Sequence, residues 1–146
     1  MPYSKFDRNR LVFSKLNQRK NRIFIEKDQV NVSHVPQKLM SSDILIIEQT
    51  AERIREAKKK KSSVILAFGA HAIKNGLSPV IISLMEKGCI THLATNGAGI
   101  IHDWEFAFQG KSSEDVRENI EQGKFGLWEE TGFYLNLALN IGSFND

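Results

Sequence analysis

Thr91-His92-Leu93-Ala94-Thr95-Asn96-Gly97-Ala98-Gly99-Ile100-Ile101-His102-Asp103-Trp104-Glu105 is the stretch on which the reading of this chain turns. A short apolar strand, Ile90 to Thr95, runs into an Asn-Gly-Ala-Gly turn that opens directly into a helix bearing His102, Asp103 and Glu105 on its first turns. A strand that ends in glycines at a helix start gathers bare backbone N–H groups and the positive end of a helix at one point, where a phosphate or carboxylate can approach. The plain alternative is a glycine-rich βα connection that binds nothing.

Upstream, Ser63-Val64-Ile65-Leu66-Ala67-Phe68-Gly69 is a continuous apolar run ending in glycine, the pattern of a strand covered on both faces in a parallel sheet. Ala70 to Gly76 reads as a short polar turn or helix. Leu77 to Gly88 reads as a helix, with Pro79 in its first turn and Gly88 as its stop. Strand, crossover helix and strand make a right-handed βαβ unit. Ligands of open parallel sheets sit beyond the carboxyl ends of the strands, so Gly69-Ala70-His71 and Asn96-Gly97-Ala98-Gly99 are expected to face each other there. The fold expected is α/β, a three-layer Rossmann-like parallel sheet, either whole or shortened.

Downstream, the helix after the second turn is predicted to run to about Gln109 and stop at Gly110. Ser112 and Asp115 stand at capping-box spacing for a further helix, Glu114 to Gln122. Phe125 to Gly132 reads as a turn, and a last apolar helix is expected from Phe133. Residues 41–146 form the expected nucleotide-binding-like domain. Within it Ser41-Ser42-Asp43 cap the clearest helix, whose Ile44, Ile47, Ala51 and Ile54 recur at helical spacing through to Lys61. Residues 1–40 are expected to be a basic arm lying over a neighbour, followed by an extended segment around Arg22 to Glu26 and a loop to Pro36.

At 146 residues and a formal charge of +3, the chain has the size and balance of a single folded domain. The positive charge is concentrated before Lys61. That raises nucleic acid as a weaker alternative partner, but the Lys58 to Lys61 run lacks aromatic interleaving and reads as a solvated helix end. Cys89 is the single cysteine, so no internal disulfide can form. No apolar run has the length of a membrane span, and the N-terminus lacks a secretion or lipidation pattern. A cytoplasmic protein with no membrane partner is expected.

The candidate acid/base groups are His102 and Asp103, one of which should face the crevice while the other is turned roughly 100° away on the helix. Asp103 also has a purely electrostatic role available near a helix N-terminus. The His-Asp doublet occurs in metal-dependent phosphohydrolases, but the preceding glycine turn is foreign to that pattern. Lys74 is a candidate anion contact or Schiff-base lysine, or else a surface residue. His71, His92 and His102 have no cysteine or spaced acid to complete a metal set, so no metal is expected. Glu129-Glu130 reads either as a distal site element or as a charge pair at a helix N-terminus. Cys89 reads as a buried small residue. The glycine pattern lacks the third glycine of the dinucleotide fingerprint, and there is no P-loop lysine motif.

From about Val64 to Gly132 the chain resembles the deoxyhypusine-synthase-like family, in particular its bacterial members of unassigned activity. The resemblance is carried by Gly69 to Pro79, by Thr91 to Glu105, and by Phe125-Gly126-Leu127-Trp128-Glu129-Glu130-Thr131-Gly132. A similar string occurs in archaeal ornithine cyclodeaminase-like proteins, which bind a nicotinamide cofactor. The resemblance implies a Rossmann-like domain, an NAD site and a homo-oligomer. The synthase turn that contacts the dinucleotide falls here on Asn96, Gly97, Ala98 and Gly99, while an upstream Asn and Ser that approach the cofactor fall on His71 and Lys74, so those contacts change. With the readings above, the expected cofactor site is Gly69, His71, Asn96, Gly97, Ala98, Gly99 and Glu130, and the expected catalytic groups are His102, Asp103 and Lys74. In the synthase the matching turn carries an acidic trio that falls here on Ile101, His102 and Asp103, of which only the last is acidic. The synthase's lysine nucleophile and spermidine-binding acids come from the second half of a chain about twice as long, so deoxyhypusine synthesis itself is not expected. The expected function is binding of NAD or a related nucleotide, with a small amine or amino acid as the small-molecule ligand of any reaction. The alternative is a non-catalytic or truncated oligomerising domain.

Overall fold

The computed structural model describes residue 3 and residues 5–145. After two 3-10 turns, Arg8–Arg10 and Leu16–Gln18, the chain forms β1 (Asn21–Phe24), α1 (Ile25–Asp28) and α2 (Ser41–Lys59). It continues through β2 (Ile65–Phe68), α3 (Ala70–Lys74), α4 (Ser78–Glu86), β3 (His92–Thr95) and α5 (Gly97–Gln109). β4 (Lys111–Glu114), α6 (Val116–Glu121) and α7 (Glu129–Asn145) complete it. The protein is therefore mixed α/β, with two small two-stranded sheets among the described residues, one parallel and one antiparallel.

The parallel pair is the expected βαβ unit. β2 and β3 run in register from Ile65 opposite His92 to Phe68 opposite Thr95, with α4 in the crossover and Pro79 in its first turn. The apolar pattern explains the pairing but not its cover. β2 was expected to be buried on both faces, yet Ile65 is 65% exposed and every residue of β3 is exposed. Only the Leu66 and Phe68 face is covered, by a small core of Ile73, Ile81 and Phe106 joined by Ile23 and Ile25.

The second sheet was not foreseen. Ser112 was expected to begin the capping of a helix, but Lys111–Glu114 instead pairs antiparallel with β1, Ile23 opposite Ser112. The helix starts after Asp115, whose carboxylate accepts the Glu118 N–H at 3.1 Å. Two facts favour the strand: Gly110 ends α5 in a left-handed turn (φ 69), and the Gly110 carbonyl accepts from Ile25 N–H at 2.8 Å, which lays the following residues along β1. α7 likewise begins earlier than Phe133, at Glu129. Buried Trp128 anchors its start, and Ser14 brackets it by donating to the Leu127 carbonyl and accepting from Glu129 N–H, each at 2.9 Å. Gly132 is carried inside the helix at a cost of about 1 kcal/mol.

The same bracket ties the stretch around Ser14 to the start of α7. Leu16 is 1% exposed and Arg19 6%, so both belong to the interior of their own chain.

The total accessible surface is 11453 Å². A compact folded chain of 16.6 kDa exposes roughly 7,600 Å², which the observed value exceeds by about half. α2, with no buried residue, and both faces of β3 contribute to the excess.

Candidate functional site

The two turns meet where the sequence places them. Gly69 is the N-cap of α3 and Asn96 that of α5, and a Cβ built on Gly69 would lie 3.7 Å from Asn96 Nδ2. Asn96 Oδ1 accepts the Gly99 N–H at 3.0 Å, which leaves the first amides of α5, Gly97 and Ala98, without intrahelical partners. A Cβ on Gly99 would lie 2.1 Å from Thr95 Oγ1, so any larger residue there forces the threonine side chain to move. Around Gly97 the equivalent position is open.

α5 divides two hollows. One, about 280 Å³ and mostly apolar, is lined by Phe68, Ile73, Ile81, Leu93, Thr95, Gly99 and Asp103. The other, about 390 Å³, is lined by Lys74, Ala98, Ile101, His102, Glu105, Ser113, Glu114, Trp128 and Thr131 among others. His102 and Asp103 therefore face different spaces, as consecutive helical residues must. Lys74, at the end of α3, joins His102. His71 is exposed on α3 and lines neither hollow. Glu130 is engaged elsewhere: its Oε2 accepts the Leu16 N–H at 2.6 Å, while Glu129 pairs with Lys15 at 2.6 Å.

Behind His102 stands a buried polar network. Arg19 holds Glu105 through two parallel hydrogen bonds, Nη1 to Oε1 at 2.8 Å and Nη2 to Oε2 at 2.5 Å. Thr131 Oγ1 donates to Oε1 at 2.9 Å and Ser112 Oγ to Oε2 at 2.5 Å. The Ser112 oxygen lies 2.6 Å from His102 Nδ1. Arg19 also stacks over Trp128 at 5.4 Å, and Trp128 Nε1 donates to Glu114 at 2.9 Å. With side-chain exposures of 3% and 1%, Arg19 and Glu105 are an ion pair fully removed from water. Such a pair is tolerated only when further hydrogen bonds satisfy both partners, as they do here. Among the described residues no buried side-chain donor or acceptor is left unpaired.

Burial holds the pKa of His102 below its ordinary value; Glu105 opposes this, and Lys74, Arg19 and His71 add to it. Burial thus favours the neutral form of the ring. Ser113 lines the same hollow at φ 65, a left-handed conformation uncommon for a residue with a side chain.

Arg19, Ser112 and Thr131 are the residues that sequence reasoning missed. One signal was available: Glu105 follows His102 by three positions, which sets the two on one helical face. Among the described residues no group of three His, Cys, Asp or Glu side chains is placed to hold a metal ion.

Fold and site together define a mixed α/β protein with a glycine-lined strand–helix edge and a neutral histidine backed by a buried ion pair. No protein-family model, curated protein or solved structure matches the chain.

Proposed function

We propose that the protein binds NAD or a related nucleotide beyond the carboxyl ends of β2 and β3, in the manner of the deoxyhypusine-synthase-like proteins that its sequence resembles. One observation carries this reading: the Gly69 and Asn96 turns lie side by side at the end of a parallel strand pair, where α5 presents its N-terminus. The residues present fit such a ligand. The Gly97 and Ala98 amides suit a phosphate, the open space at Gly97 admits it, and Lys74 adds a cation on the Ala98 side. The apolar hollow beside Thr95 and Gly99 takes a ring, and Asp103 at its wall accepts from ribose hydroxyls.

A bound nicotinamide supplies hydride transfer. The chain supplies His102 as the acid/base group for a small amine or amino acid in the second hollow. On this reading β2 and β3 are the centre of a Rossmann-like three-layer sheet in a cytoplasmic homo-oligomer. Titration calorimetry and thermal shift with millimolar NAD test the proposal. Heat of binding and a raised melting temperature, both lost in Gly99→Val, are expected; neither heat nor shift in the parent protein refutes it.

The large exposed surface favours a second reading, an oligomerising domain without catalysis. Self-association with no response to NAD distinguishes it.

A further inference from the structure

The hydrogen bonds behind His102 decide which of its nitrogens carries the proton. Glu105 lies in a two-point bond with Arg19, so it is a carboxylate and accepts only. Ser112 Oγ has a single hydrogen, and at 2.5 Å from Glu105 Oε2 that hydrogen is donated to the carboxylate. The Ser112 oxygen can then only accept from His102 Nδ1, 2.6 Å away. Ser112 is 0% exposed, so no water competes for that bond. Neutral His102 therefore carries its proton on Nδ1, and Nε2 is left as a bare acceptor. A neutral histidine in water prefers the opposite arrangement.

We propose that Ser112, Glu105 and Arg19 are positioning residues that lock His102 in the Nδ1–H tautomer, so that Nε2 accepts a proton from a ligand seated in the hollow shared with Lys74. Ser112 is not a nucleophile: its oxygen is buried and spent on both sides. The charges facing the ring are the Glu105 carboxylate, the Arg19 guanidinium that neutralises it, and the ammonium of Lys74, with His71 further out. Glu114, also in the wall, is already taken by Trp128, Asn119 and the Gly126 amide. Lys74 has no hydrogen-bond or ion-pair partner among the described residues. The hollow thus offers one cation and one acceptor. The ligand class this suits is a small acid that carries a hydroxyl or amino group beside its carboxylate. The tautomer follows from the chain alone and stands whether or not a nucleotide binds.

Nitrogen-15 NMR of the full chain tests both parts, with His102 assigned by loss of its signals in His102→Gln. At a pH where the ring is neutral, a protonated Nδ1 and an unprotonated Nε2 are expected, against the mostly Nε2–H mixture of an exposed histidine such as His34. An Nε2–H signal, or a mixture like that of His34, overturns the relay. Ser112→Ala should return His102 to the ordinary mixture. Thr131→Val, which removes a donor from the same carboxylate without touching the ring, should leave the tautomer unchanged. If Ser112→Ala does not fold, the parent spectrum against Thr131→Val still decides. Glycolate and acetate then probe the acceptor. A shift of the Nε2 resonance with glycolate and a smaller one with acetate is expected. Equal shifts refute Nε2 as the acceptor of the ligand's proton. No shift with either refutes the ligand class, and the tautomer result stands separately.

Discussion

Replacing Glu105 by Met removes one half of an ion pair that no water reaches. The Arg19 guanidinium, 3% exposed as a side chain, is then left charged against Trp128 with one remaining side-chain acceptor, Asn21. Removing one partner of a buried pair costs about 3–5 kcal/mol. A domain of this size has only about 5–15 kcal/mol in total. A loss of about 3 kcal/mol lowers the melting temperature by roughly 10 °C. Arg19→Met should cost a similar amount, because it leaves the carboxylate uncompensated. The informative variant is the double one: with both charges gone the buried space is apolar, and the double mutant should be more stable than either single mutant. Urea unfolding followed by the fluorescence of Trp104 and Trp128, the latter under Arg19, measures all four proteins. Additive losses, or a single-mutant cost below about 1 kcal/mol, would refute the assignment of Arg19 and Glu105 as a fully desolvated pair.

Other outcomes follow from single contacts. His102 has a folded pKa below its unfolded value near 6.5, so the unfolded chain binds the extra proton and stability should fall as pH drops through and below 6.5. His102→Gln should flatten that slope in urea melts between neutral and mildly acidic pH, and an unchanged slope would remove His102 as its cause. Gly99→Ala should destabilise by about 1–3 kcal/mol through the clash with Thr95 Oγ1, whereas Gly97→Ala, with open space around it, should cost far less; equal melting temperatures for the two would contradict the close approach. Sedimentation at micromolar concentration should give a mass above the 16.6 kDa of one chain, because the exposed surface is too large for a lone compact protomer. Phe108→Glu, placed in the stacked group of Trp104, Phe108 and Tyr134, should reduce that mass if this aromatic face is an interface; a monomeric parent protein would end the argument.

What the sequence made legible was local. The apolar run before Gly69, Pro79 at a helix start and the Asn96 turn each act within a few residues, and together they led to the parallel pair and its edge. Gly110 stopped α5 for the same reason, since a left-handed position after a helix is written in one residue. The second sheet was not legible. Lys111-Ser112-Ser113-Glu114 has no strand character of its own and pairs because β1, some ninety residues earlier, offers it a partner. The candidate site divided along the same line. His102 and Lys74 stood out by type and position. Arg19, Ser112 and Thr131 are common residues whose role comes from meeting Glu105 in three dimensions, and nothing near Arg19 in the chain announces an acid 86 positions away.

That separation also orders events in time. Arg19 leaves the ribosome well before Glu105, Ser112 and Thr131. At synthesis rates of about 5–20 residues per second, the guanidinium waits roughly 6–20 s before its last partner exists. Closing so wide a loop is entropically uphill until the contacts form. The histidine acquires its fixed proton only when that closure is made, so an unfinished chain can hold a formed strand pair and glycine edge while the His102 ring is still unset.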